Sequence, residues 1–148
     1  MTSTGNRGNG ARPGRGRRYG VDTSILVRLV AREPRTDFER CLSQLSVLVD
    51  ERGCEMYASN QAIGEAYAAL IHHYDLSSAV ARAGLHDALT SGLVAPLNGQ
   101  EVLDALTAAT GPGLFDRLIA NDYARAGLET LTLDRRMATL PQTHLVPE

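Results

Sequence analysis

The stretch Tyr19-Gly20-Val21-Asp22-Thr23-Ser24-Ile25-Leu26-Val27-Arg28-Leu29-Val30 changes character part-way, and that change decides the fold. Tyr19-Gly20-Val21 reads as a short extended run ending at Asp22. Beyond it, Ile25, Leu26, Leu29 and Val30 recur at helical spacing, so a helix buried on one side follows, stopped by Pro34. A strand that ends on a carboxylate and passes directly into a helix is the opening unit of an α/β domain.

The same alternation continues outward. Thr36 and Glu39 match a capping box that would open a second helix running to about Gly53, with Phe38, Cys41, Leu42, Leu45, Leu48 and Val49 on its inner stripe. An extended run about Glu55-Met56-Tyr57-Ala58 precedes a helix from Asn60 to Tyr74, whose stripe is Ile63, Ala66, Tyr67, Leu70, Ile71 and Tyr74. Ser77 to Ser91 reads as a further helix, weakened by Gly84. Leu93 to Leu97 is a short strand, and Asn98 with Glu101 makes a second cap-like start for a helix through Ala109. After the Gly111-Pro112-Gly113 turn comes a helix from Leu114 to Ala126, closed by Gly127. Glu129 to Leu133 and His144 to Val146 are the last strands. Strands alternating with helices imply a parallel sheet with helices on both faces, a three-layer α/β/α sandwich.

Length and charge bound what this domain can be. The chain has 148 residues and 43% hydrophobic content, enough for one core. No apolar run approaches the roughly 18 residues of a membrane span, and the start lacks a secretory segment, so a cytoplasmic protein is expected. Five of the 15 basic residues, Arg7, Arg12, Arg15, Arg17 and Arg18, lie in Met1 to Arg18 with no acid, while all 17 acids lie in the remainder. Residues 1–18 therefore read as a disordered Gly/Arg-rich tail, and residues 19–148 as the folded domain. The tail serves either as an electrostatic arm for RNA phosphates or as a solubilising leader. Cys41 falls in a helical stripe and reads as a small core residue. Neither it nor Cys54 has zinc-site spacing, and a cytosolic setting argues against a disulfide.

Four acids recur where a strand ends or a helix begins: Asp22, Glu65, Asp116 and Asp134. A hard divalent cation needs several carboxylate oxygens at one point, and open α/β sheets gather ligands at the carboxyl edge of their strands. Asp22 and Asp134 each end a strand, and Asp116 opens a helix at that edge, flanking the stripe Phe115, Leu118, Ile119, so it should be half-buried. Glu65 points roughly opposite its own stripe, towards another element or towards solvent. Each acid also has an ordinary reading: Asp22 and Asp116 as helix-terminal residues, Asp134 as a turn residue, Glu65 as a surface carboxylate. Clustered carboxylates repel unless a cation or protons neutralise them, which favours the joint reading.

Val21-Asp22-Thr23-Ser24, the Glu65 helix, Leu114-Phe115-Asp116-Arg117-Leu118-Ile119-Ala120 and Leu131-Thr132-Leu133-Asp134-Arg135 resemble the PIN-domain ribonucleases, especially the VapC toxins of toxin–antitoxin modules. The resemblance runs from about Tyr19 to Val146. It implies a PIN-like sandwich in which Asp22, Glu65, Asp116 and Asp134 bind Mg²⁺ or Mn²⁺ and cut single-stranded or looped RNA, with Ser24 supporting Asp22. It also implies a homodimer and a small VapB-like antitoxin whose C-terminal segment fills the cleft. Two positions depart from the family: Arg136 stands where many relatives carry another acid, and Asp122 falls in an apolar stripe where a small residue is usual. Asp122 would pair with an arginine, face a subunit interface or mark a distorted helix.

The chemistry expected is hydrolysis by a metal-activated water, with Arg117, Arg135 and Arg136 beside the cleft as candidate RNA phosphate ligands or as plain surface charges. The rival is a degenerate module that binds RNA or protein without cutting. A phosphotransfer domain is disfavoured: Ser24 stands where a phosphatase needs a second aspartate, and the chain has no lysine for a receiver. His72-His73 reads as a helix-end pair and Tyr67 and Tyr74 as core residues.

Overall fold

The computed structural model describes residues 15–147; the expected tail over residues 1–14, with Arg7 and Arg12, lies outside the described residues. The chain runs β1 (Arg18–Val21), α1 (Thr23–Ala31), α2 (Arg35–Ser46), β2 (Glu55–Ala58), α3 (Asn60–His73), α4 (Ser78–Leu89), β3 (Ala95–Pro96), α5 (Gln100–Thr107), α6 (Leu114–Arg125), β4 (Thr130–Thr132) and β5 (Thr143–Leu145). A π-turn at Val47–Glu51 extends α2, and a 3₁₀ turn at Met137–Thr139 separates the last strands. Among the described residues, six α-helices and a parallel sheet make the fold mixed α/β.

Every strand pair is parallel. The central sheet has the order β1-β2-β3, with Val21 opposite Ala58 and Ala58 opposite Pro96. The carboxyl edge therefore carries Asp22, Ser59 and Leu97 side by side. β4 and β5 form a separate two-stranded sheet, Thr130 opposite Thr143. There the threonines are buried at 5% and 4% exposure while Leu131 and Leu133 are 66% and 87% exposed, the inverse of an ordinary amphipathic strand.

The core lies between the sheet and helices α1, α3, α4 and α5, built from Leu26, Met56, Ala58, Ile63, Leu70, Leu85, Val94 and Val102. The reading of α3 holds for Ile63, Ala66 and Leu70, which are buried, but Tyr74 follows the last turn and is exposed. Cys41 packs partly against the core, Cys54 is buried, and the two are not joined in a disulfide.

Several local expectations are replaced. The folded region begins earlier than Tyr19: Gly16 N–H donates to Arg52 O (2.8 Å), and β1 starts at Arg18. α1 ends before Pro34, because Arg32 takes a left-handed conformation (φ 59°) and its N–H closes on Arg28 O. Pro34 instead opens α2 with no side-chain cap, so Thr36 and Glu39 lie inside the helix and Glu39 pairs with Arg35. At α5 the cap is Gly99, whose φ of 84° suits glycine, and Asn98 spends its amide elsewhere. No helix among the described residues is long and apolar enough to cross a membrane.

Candidate functional site

Asp22 ends β1 and caps α1. Its Oδ1 accepts from the Ser24 N–H (3.1 Å) and from the Ser24 hydroxyl (2.5 Å). The hydroxyl bond, more than any other contact, holds the Asp22 carboxyl below its ordinary pKa. Both bonds fall on one carboxyl oxygen, and the backbone at Ile25 lowers the pKa further.

Glu65 is exposed, as a residue opposite the buried stripe of α3 must be, yet it is not isolated. Its Oε1 accepts from the Thr23 hydroxyl (3.0 Å) and its Oε2 from Gln61 Nε2 (3.0 Å). Gln61 and then Thr23 lower its pKa, since both bonds favour the charged form. Thr23 follows Asp22 directly in the chain, so this bond fixes Glu65 beside the start of α1. The second and third residues of that Asp22-Thr23-Ser24 run thus tie two acids to one helix N-terminus.

Asp116 sits in the first turn of α6 and is half-buried, as its helical angle requires. Its carboxyl makes no hydrogen bond or ion pair among the described residues. α6 lies across α3 at Gly64, where a Cβ would come within 3.1 Å of the Phe115 ring, so α3 and α6 meet next to Glu65 and Asp116. Asp134 is exposed and behaves as a turn residue: its Oδ1 accepts from Arg136 N–H (2.8 Å) and Met137 N–H (3.3 Å).

The structure thus brings Asp22 and Glu65 to one helix start and sets Asp116 on the adjoining helix. Among the described residues, however, no three or more His, Cys, Asp or Glu side chains gather closely enough to hold one metal ion. As a donor set the four acids suit a hard cation, being all oxygen, and Asp116 is a carboxylate with no competing partner.

Two of the candidate RNA-binding arginines are engaged inside the protein. Arg117 donates from Nε to Pro112 O (2.8 Å) and from Nη2 to Thr110 O (2.7 Å). Arg136 donates from Nη2 to Gly111 O. Three consecutive carbonyls are held by two guanidinium groups, which anchors the turn before α6 to the segment after β4. Arg135 and Arg136 are both exposed, and Arg135 is the member of the three whose guanidinium makes no hydrogen bond or ion pair among the described residues.

A polar network at the same edge escapes sequence reading. Asn60, 4% exposed, donates through Nδ2 to Leu118 O (3.0 Å) and Asn121 Oδ1 (2.8 Å). Asn98 Nδ2 donates to Asn121 Oδ1 and to Asp122 Oδ1, both at 2.9 Å. Asp122 therefore pairs with an asparagine at the end of β3 and not with an arginine. Asn60 Oδ1 is buried with no partner. The bond to Leu118 O fixes the amide orientation, because the reverse assignment would oppose two acceptors. The only hint in the sequence is three asparagines, each of which also suits a cap or a turn.

A groove of about 550 Å³ lined by Val49, Tyr57, Leu93, Ala95 and Leu103 lies along β3 and contains none of the four acids. Compared with known proteins, the chain matches no family model, no curated protein and no solved structure.

Proposed function

We propose that this protein is a Mg²⁺- or Mn²⁺-dependent ribonuclease, of the PIN-like kind with a three-layer α/β/α arrangement, that hydrolyses RNA phosphodiesters at the carboxyl edge of β1. The observation that carries this reading is the fixing of two carboxylates, Asp22 and Glu65, at the start of α1 by Ser24, Thr23 and Gln61. Hydroxyl and amide donors hold both acids in their charged form, and a hard divalent cation is the ligand that charged carboxylate oxygens suit.

Asp22, Glu65, Asp116 and Asp134 would hold the ion. When bound, it lowers the pKa of a water and stabilises the leaving oxygen of the phosphodiester. The protein's own part is positional: Ser24 directs Asp22, Thr23 and Gln61 direct Glu65, and the Arg117 and Arg136 contacts tie Asp134 to the start of α6. In this reading the chain is the toxin of a toxin–antitoxin pair in the cytoplasm, and its partner is a VapB-like antitoxin.

The second reading is a module that binds RNA or protein without cutting it. It is favoured by the lack of a gathered three-acid group among the described residues and by Arg136. Structured RNA incubated with the purified protein, with Mg²⁺ or with chelator, separates the two. Cleavage that needs Mg²⁺ and is abolished in Asp22→Asn and Asp116→Asn, with circular dichroism unchanged, supports the enzyme. Binding without cleavage in either condition supports the module.

A further inference from the structure

Helices α5 and α6 meet along a seam that their side chains do not fill. On α5, Glu101, Asp104 and Ala105 recur at i, i+3 and i+4, and on α6 Arg117, Ala120, Asn121 and Ala124 at i, i+3, i+4 and i+7, so each set lies on one side of its helix. Between them, closed off by Leu140, Pro141 and Gln142, is a cavity of about 240 Å³. That closing segment is pinned, since Gln142 O accepts from the Thr130 N–H (2.9 Å). Ala120 follows Asp116 by one turn of α6, so the cavity starts about 6 Å along the helix from that carboxylate.

We propose that this cavity binds a guanine base, read along its Watson–Crick edge by Glu101 and Asn121. The hydrogen-bonding sense of each group is already set. Asn121 Oδ1 accepts from Asn60 Nδ2 (2.8 Å) and from Asn98 Nδ2 (2.9 Å), which fixes the amide and makes Nδ2, a donor with no partner among the described residues, the end that Asn121 offers. Glu101 is exposed in the first turn of α5, and its carboxylate makes no hydrogen bond or ion pair among the described residues. When charged it only accepts. Guanine shows one acceptor, O6, beside two donors, N1–H and N2–H₂. A carboxylate takes the adjacent donors bidentately, and an amide N–H meets O6. Asp104, held by Gln100 Nε2 (3.0 Å), adds to the acceptor character of the α5 wall.

Size and shape suit one flat ring system. The volume lies below the roughly 300–1,000 Å³ of sites for drug-sized ligands, and alanine at 105, 120 and 124 puts nothing beyond a Cβ between the helices. Pro141 supplies an apolar wall. The other bases match less well. Adenine, cytosine and uracil each carry a single donor group on this edge, so one carboxylate oxygen would face an acceptor.

A guanidinium or ammonium group, from a peptide or a polyamine, is the competing occupant of a cavity with two acids. It has no acceptor for Asn121 Nδ2. It also meets a positive charge already in place, because Arg117 lines the cavity and is tied to Pro112 O (2.8 Å) and Thr110 O (2.7 Å). Guanine is neutral and offers O6. With Asp116 one turn away, a base held here would give the domain a choice of nucleotide next to the acidic edge. That use on RNA rests on the ribonuclease reading, whereas the binding of guanine does not.

Amide NMR titration of the full chain, with chelator present, against guanosine, inosine, adenosine and arginine amide tests the pocket. Guanosine should shift the Glu101, Ala105, Asn121 and Gln142 signals saturably. Inosine, which lacks the 2-amino group, and adenosine should bind about tenfold more weakly or worse. Glu101→Ala should erase the preference for guanosine, and Ala124→Trp, at an exposed position, should fill the cavity and abolish binding. The proposal is overturned by the absence of saturable guanosine shifts at these residues, by adenosine or arginine amide binding as tightly as guanosine, or by an undiminished preference in Glu101→Ala. Selective guanosine binding by a protein that cuts no RNA would uphold the pocket and remove the nuclease reading alone.

Discussion

Replacing Gly84 with alanine gives a sharp test of how α1 and α4 are packed. In an exposed helix this change stabilises by about 1 kcal/mol, since glycine loses more backbone entropy than alanine. Here an added Cβ would stand 2.5 Å from Val30 Cγ1, against an ordinary contact of about 3.5–4.0 Å, so the two helices must part by about 1 Å or Val30 must turn. Val30 is β-branched and has essentially one rotamer within α1, which closes the cheaper route. Overpacking of this kind costs about 1–3 kcal/mol. After the propensity gain, a net loss of roughly 1 kcal/mol or somewhat more is expected, a fall in Tm of roughly 4 °C. In a Val30→Ala background the obstruction is gone, and the same Gly84→Ala change should stabilise by about 0.5–1 kcal/mol. Urea denaturation of the four proteins closes the cycle. If Gly84→Ala raises stability equally in both backgrounds, the close approach of α1 and α4 at this point is wrong.

Removal of the Ser24 hydroxyl, by Ser24→Ala, should raise the Asp22 pKa toward its ordinary value of 3.8. The sign follows from the folded-state pKa being depressed: the Ser24 bond stabilises the fold above the unfolded-state pKa, and that contribution is lost as pH falls through the folded one. Carboxyl NMR titration of Asp22 should therefore shift upwards while Glu65, held by Gln61 and Thr23, does not move. Arg117→Ala should lower stability by about 1–3 kcal/mol, because two charge-assisted bonds to carbonyls are lost, and Arg117→Lys should not restore it for want of the planar fork. For RNA binding measured with chelator present, Arg135→Ala should make the salt dependence shallower by about one unit of slope, whereas Arg117→Ala should leave it unchanged. Equal slopes for Arg135→Ala and wild type would remove Arg135 from the RNA contact.

The strand-to-helix change at Asp22 was legible because hydrophobic period alone separates the two, and α1, α3 and α6 lie close to where that pattern puts them. Caps were less so. Pro34 and Gly99 took the positions that Thr36 and Asn98 would suit, since a fixed or permissive backbone torsion outweighed a side-chain hydrogen bond. The half-burial of Asp116 follows from its angle on α6. The bond from Thr23 to Glu65 spans 42 residues, and no local pattern predicts such a contact. Likewise nothing in the chain announces that Arg117 and Arg136 bond to the carbonyls of one turn, because an arginine that grips carbonyls and one that only faces water look alike in sequence. The inverted faces of β4 contradict simple alternation, which expects leucine inside and threonine outside.

The double grip on Thr110, Gly111 and Pro112 has a mechanical corollary. Arg117 pulls on this turn from within α6 and Arg136 from two residues beyond Asp134, so the turn works as a shared axle between α6 and the segment after β4. Any displacement that carries Asp134 must drag the first turn of α6 along, and Asp116 rides on that turn. The two carboxylates are thus geared together, although their backbones are never hydrogen-bonded to each other.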